Sequence, residues 1–187
     1  MAITQHRLTI ADYEAFVQSG IEGQWELHDG VLVEKPGMTF EHGDIAFEIG
    51  HLLRLQLPRH AYRVQLESRV RRPPATVFRP DVMVFPTHDA DPFRNQPGRL
   101  MILPDPLPLV VEVWSRSTGD YDIAAKLPIY QQRGDAEIWL VHPYDRTITA
   151  WRRQEDGSYT VTVFDHGVIS PVALPGVAFD LADLFVD

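Results

Sequence analysis

Leu107-Pro108-Leu109-Val110-Val111-Glu112-Val113-Trp114 is almost continuously apolar, and the reading of this stretch decides the fold. Such a run is the pattern of a central strand covered on both faces, because a strand with one wet face would alternate. Ser115-Arg116-Ser117-Thr118 supplies a turn, and a helix is expected from about Tyr121 to Gln132. Pro128 lies inside that helix and should kink or locally unwind it, since proline lacks the N–H the helix needs. Ala136 to Val141 reads as a second buried strand. The expectation is an α/β fold, a mixed central sheet flanked by helices.

Upstream, Thr9 is placed to cap a short helix from Ile10 to about Gln18, with Ile10, Tyr13, Phe16 and Val17 on its inner face. Trp25 to His28 and Val31 to Val33 flank Asp29-Gly30, a hairpin signal. Thr39 can cap a longer helix reaching about Leu57, with Ile45, Ile49, Leu52, Leu53 and Gln56 at helical spacing. Tyr62–Arg71 and Val77–Phe85 read as strands around Pro73-Pro74, and 86–106 as a long surface loop. Downstream, Thr147–Arg152, Tyr159–Phe164 and Val168–Leu174 suggest an antiparallel meander, closed by a helical turn at Leu181–Phe185. No repeat or linker divides the 187 residues, so one domain spanning 1–187 is expected.

The chain has no cysteine, which removes disulfides, thiolate zinc sites and cysteine nucleophiles together. No apolar run approaches a membrane span, and Met1–Phe16 lacks a cationic-then-apolar leader, so the cytoplasm is the default expectation. A net charge of −9 argues against binding nucleic acid by bulk attraction. Yet Arg54, Arg59, Arg63, Arg69, Arg71, Arg72 and Arg79 fall in one stretch whose sole acid is Glu67, enough for a local basic face. Of 17 basic residues only Lys35 and Lys126 are lysines, so lysine is not generic surface charge here.

Two carboxylates stand out. Asp81 follows Pro80 at the start of Val82-Met83-Val84-Phe85, and Glu112 sits inside the most apolar strand. A charge there is costly unless a cation or basic side chain pairs with it. Magnesium holds oxygen ligands and keeps several waters, so one or two carboxylates suffice. Lys126, from the following helix, could orient or activate a water beside such an ion. The bland alternative is an arginine partner such as Arg79 for Glu112 and a turn role for Asp81.

Trp25-Glu26-Leu27-His28-Asp29-Gly30, Arg79-Pro80-Asp81-Val82, Val111 to Thr118, Lys126, Tyr130 and Glu137-Ile138-Trp139-Leu140-Val141 together resemble the Uma-two family of restriction-endonuclease-like proteins. The resemblance implies a PD-(D/E)XK fold with Asp81 and Glu112 as metal ligands. It also implies a motif lysine displaced onto the next helix as Lys126, Trp114 standing where a standard motif has its lysine. Glu26 matches an acidic position in the first hairpin, and His42 a helical histidine near the site. Arg116 and His142 depart from the family's usual proline and aspartate.

The expected function is a Mg2+-dependent endonuclease-like enzyme, with Mn2+ as a substitute, cutting phosphodiester bonds in nucleic acid, with DNA as the expected substrate. A homodimer would match the two strands of a duplex. The rival is a non-catalytic nucleic-acid- or protein-binding module that keeps the fold.

Overall fold

Thr9 opens α1 (Ile10–Gln18) with a reciprocal cap: its hydroxyl accepts the Asp12 N–H at 3.1 Å, and the Asp12 carboxylate accepts the Thr9 N–H at 2.8 Å. The structure, a computed structural model, describes residues 7–186. Next comes a hairpin of β1 (Gln24–His28) and β2 (Val31–Lys35). Its turn residues Asp29 and Gly30 have φ of 47° and 78°, as a tight right-twisting hairpin requires. Tyr13 of α1 is buried against Leu27 of β1 in a small core.

Thr39 caps α2 (Phe40–Gln56), which buries Ile45, Ala46, Ile49 and Leu53 as their spacing predicts. Gln56 lies outside that face and exchanges amide hydrogen bonds with the Ala178 backbone. Truncating Ile49 to alanine would cost about 2–5 kcal/mol, because the packed sheet beneath cannot close the void.

The two expected strands of 62–71 and 77–85 are each broken. The first divides into β3 (Tyr62–Leu66) and β4 (Arg69–Arg72) at Glu67, whose φ of 51° turns the chain out of one sheet. The second divides into β5 (Thr76–Phe78) and β6 (Val82–Pro86) at Arg79-Pro80-Asp81, where proline offers no ladder N–H. Both breaks are crossings between sheets, and both feed residues into the site below. Residues 86–106 are more ordered than a loop: they hold a 3-10 helix, Thr87–Phe93, and β7 (Ile102–Leu103), which runs parallel to β4.

The rest follows as β8 (Leu109–Val113), a turn of α3 (Gly119–Tyr121), a π-helical turn at Asp122–Lys126, α4 (Leu127–Arg133), β9 (Glu137–His142), β10 (Thr147–Arg153), β11 (Tyr159–Phe164), β12 (Val168–Ile169), β13 (Phe179–Asp180) and α5 (Leu181–Leu184). One sheet has six strands in the order β11-β10-β9-β8-β6-β3, mixed because β8 and β9 are parallel. A second has five, in the order β2-β1-β5-β4-β7, so the N-terminal hairpin does not extend the central sheet. The meander consists of β9, β10 and β11; Val168–Leu174 is not its next strand. Only Val168 and Ile169 pair, and they pair with β13, because Pro171 cannot continue a ladder.

All five residues of β8 are buried, as its apolar run predicts. Leu109, Val111 and Val113 pack on the α2 side. Val110 packs on the other side with Met83, Ile138 and Tyr130. Glu112 shares the parity of Val110, so strand geometry sends it toward α4. Among the described residues no helix is long and apolar enough to cross a membrane.

Candidate active site

The antiparallel β6–β8 pair sets Met83 opposite Val110 and Val82 opposite Val111. One more step of that register sets Asp81 opposite Glu112, and cross-strand neighbours have Cβ atoms about 5 Å apart. Asp81 is tied there through Oδ2, which accepts the Val113 N–H at 2.7 Å. The register thus sets the two residues at one end of one strand pair, while their carboxylates bind different ammoniums, Asp81 that of Lys35 and Glu112 that of Lys126.

Lys126 reaches Glu112 from the π turn. With no N–H on Pro128, the regular helix pattern fails just where it would continue, and the Leu127 N–H reaches back five residues to the Asp122 carbonyl. Lys126 Nζ lies 3.1 Å from Glu26 Oε1, 3.2 Å from Glu112 Oε1 and 3.2 Å from Asp122 Oδ1. Tyr130, one turn on, donates its hydroxyl to Glu112 Oε1 at 2.5 Å. The arginine partner for Glu112 is not seen: Arg79 turns to Glu67, and its backbone N–H goes to Glu26 Oε1 at 2.7 Å.

Lys35, at the end of β2, makes a second cluster. Its ammonium donates to Asp81 Oδ1 at 2.6 Å, Glu67 Oε1 at 2.8 Å and the Arg79 carbonyl at 3.2 Å. His42, in the first turns of α2, brings Nε2 to 3.1 Å from Asp81 Oδ2. Glu67 takes its left-handed backbone at this point, strain of about 1–3 kcal/mol that the surrounding contacts sustain.

Burial opposes charge throughout the cluster, and the neighbours decide each outcome. Burial alone would raise Asp81, but the Lys35 ammonium and the His42 hydrogen bond overcome it and hold the carboxyl far below its ordinary range. At Glu112 burial prevails over Lys126, and Asp122 and Asp81 add to it, so the pKa is raised well above the usual value. Lys126 is itself held protonated, because Glu112, Glu26 and Asp122 outweigh its desolvation.

The residue types are those a hard divalent cation takes, although among the described residues no group of three or more of them is arranged to hold one. The donors are all oxygen apart from His42, and carboxylates outnumber the lysine ammoniums. Asp81 has used about three of its four lone-pair sites, while Lys126 and Tyr130 both occupy Oε1 of Glu112 and leave Oε2 for a further ligand. His42 Nδ1 is buried without a hydrogen bond, and Asp122 Oδ1 has the Lys126 ammonium at 3.2 Å. Magnesium keeps several waters, so one or two carboxylates would be enough to hold it.

Of the residues singled out in the sequence, Glu26, Glu112 and Lys126 come together in one cluster, and Asp81 and His42 lie in the neighbouring one around Lys35. Sequence reasoning missed the part played by Lys35, whose signal was its rarity, and by Asp122, whose signal was its position one helical turn before Lys126. Trp114 stacks on His142 with ring centroids 4.3 Å apart. The arginine stretch is divided. Arg69 donates to the Tyr13 hydroxyl and Arg79 faces Glu67, whereas Arg54, Arg59 and Arg63 join Arg94 around an open cleft of about 370 Å³. Partial desolvation and the charges of Arg59, Arg94 and Arg54 lower the Arg63 pKa.

A mixed six-stranded sheet flanked by helices is the frame of the restriction-endonuclease-like class. The family model described as "Putative restriction endonuclease" (Uma2) matches residues 10–182, and the chain belongs to that family. Its structure is similar to that of "a putative nuclease belonging to DUF820 from Anabaena variabilis ATCC 29413", with a TM-score of 0.74 at 19% identity, covering 95% of this chain and 97% of that one. No curated protein matches the chain.

Proposed function

We propose that the chain is a Mg2+-dependent phosphodiesterase that cuts nucleic acid endonucleolytically, with DNA as its substrate and Mn2+ able to replace Mg2+. The observation that supports this is Asp81 and Glu112 at the same end of the β6–β8 pair, with the Lys126 ammonium 3.2 Å from Glu112. Asp81 and Glu112 bind the metal. When bound, the cation lowers the pKa of a coordinated water and offsets charge on the phosphate. Val113 and Lys35 fix the Asp81 carboxylate, and Tyr130 fixes Glu112 by one oxygen. Lys126 orients the attacking water, and Glu26 assists by holding the Lys126 ammonium. The Arg54–Arg59–Arg63–Arg94 cleft contacts backbone phosphates.

The test is supercoiled plasmid incubated with Mg2+, Mn2+ or chelator. Nicking that needs the metal and disappears in Asp81→Ala and Glu112→Ala supports the reading; equal rates with chelator, or full activity in Asp81→Ala, overturn it.

One observation favours the rival binding module. Asp81 and Lys126 are each only 1% exposed and the lysines already fill the space between the carboxylates, as in a purely structural ion-pair core. In that case DNA or protein binding survives Glu112→Ala and needs no metal.

A further inference from the structure

We infer that the arginine cleft is a pocket for a terminal phosphate. Given nucleic acid as the substrate, as proposed above, it seats the phosphorylated end of a strand in preference to a phosphate within the backbone. Four elements converge on it. Arg54 comes from the last turn of α2, Arg59 from the turn after that helix, Arg63 from the edge strand β3, and Arg94 from the end of the 3-10 helix Thr87–Phe93. A track for a polymer backbone spreads its charges along a line. These four instead surround one concavity of about 370 Å³, walled by Val64 and Ala90. Among the described residues no acid lines it, and Asp91, whose charge Arg63 feels, is already bound by Arg94 Nε at 2.8 Å. Arg54 spends one nitrogen on the Leu57 carbonyl, and Arg63 Nη1 is buried with no hydrogen-bond partner.

Charge and shape select the ligand. Four guanidiniums face a single carboxylate, and a phosphate monoester, with a charge of about −1.5 to −2 at neutral pH, offsets that excess better than a singly charged diester. Its three free oxygens can also take paired N–H donors from more than one arginine. The cleft lies within reach of the carboxylates. In the β3–β6 register Arg63 faces Phe85 and Gln65 faces Met83, the residues that pack on the Glu112 side of the sheet. Asp81 is four residues from Phe85, so the two sites stand about 13 Å apart along the strands, a distance one short stretch of nucleic acid spans. A closed circle, which has no end, engages the cleft through diesters alone and is held more weakly.

The test is fluorescence anisotropy of the full chain with a short labelled single strand, in chelator so that nothing is cut. The strand carries a 5′-phosphate, a 3′-phosphate or hydroxyls at both ends. One phosphorylated strand is expected to bind at least about tenfold more tightly than the hydroxyl strand, and inorganic phosphate to erase that advantage. Whichever end shows the gain is the end that the cleft holds. Arg63→Gln and Arg59→Ala should each abolish the ratio while the circular-dichroism spectrum is unchanged; Arg59 is exposed, so its loss leaves the fold intact. Equal affinity for the three strands, or a ratio that survives both substitutions, overturns the pocket. Metal-dependent nicking is read separately: phosphate preference without nicking defeats the catalytic reading alone, and nicking without the preference defeats the pocket alone.

Discussion

Lys35 holds Asp81 at 2.6 Å although 46 residues separate them in the chain. The chain's two lysines, Lys35 and Lys126, both lie among buried carboxylates. Replacing Lys35 by methionine removes the charge that Asp81 and Glu67 share and leaves Asp81 with His42 and Glu67 with the more distant Arg79 guanidinium. The expected loss is about 3–5 kcal/mol in urea unfolding. A loss below about 1 kcal/mol would show that Asp81 is secured without it.

Glu112 poses the opposite case. Burial raises its pKa well above the usual range, so its charge is a burden on the fold. Glu112→Gln should leave stability within about 1 kcal/mol of wild type, or raise it, because the amide keeps the shape without the charge. Metal-dependent cleavage should fall at least about 100-fold. Equal losses of stability and activity would make Glu112 a structural residue.

Metal binding should depend on pH through the same group. A carboxyl with a raised pKa holds its proton at mildly acidic pH and must release it to ligate a cation, so affinity should climb as pH rises through that raised value. Titration calorimetry at about pH 5.5, in two buffers of unlike ionisation enthalpy, should report proton release on Mg2+ addition. Binding with no proton released would place the metal elsewhere.

Alkaline pH tests the packing. Burial is the leading cause that raises Tyr13, Tyr121, Tyr130 and Tyr159 above the ordinary 10.0, Tyr159 to about 12. A folded-state pKa above the unfolded one means that the stability these neutral phenols contribute is intact below pH 10. It is lost as pH climbs through the raised values. Phenolate absorbance from these four should therefore appear together with unfolding, and ionisation of all of them in an intact fold would contradict their burial.

The arginine cleft should govern the salt response of DNA binding. Arg63→Ala or Arg94→Ala is expected to weaken binding for all sequences alike and to reduce the slope of log affinity against log salt by about 1. An unchanged slope would exclude the cleft from phosphate contact.

Much of the fold was legible because β8 and β9 are continuous apolar runs and α2 has a clean helical period; local pattern suffices for such elements. The breaks at Glu67 and at Arg79-Pro80-Asp81 were not legible, since each follows from which sheet the next strand joins. Both flanking segments looked equally extended. Pro128 signalled a disturbed helix correctly. Only the fold shows that the disturbance takes the form of a π turn carrying Lys126 to its carboxylates.

By itself, the sequence determined the α/β class, the buried strand holding Glu112, and the candidacy of Asp81, Lys126 and Glu26, because residue type and local period carry those signals. Which charge meets which was decided by tertiary structure alone. Lys35 chooses Asp81, Arg79 chooses Glu67, and Lys126 is shared by three acids. Such pairings depend on strand register and on distance in a low-dielectric interior, quantities that exist only after the chain has closed on itself.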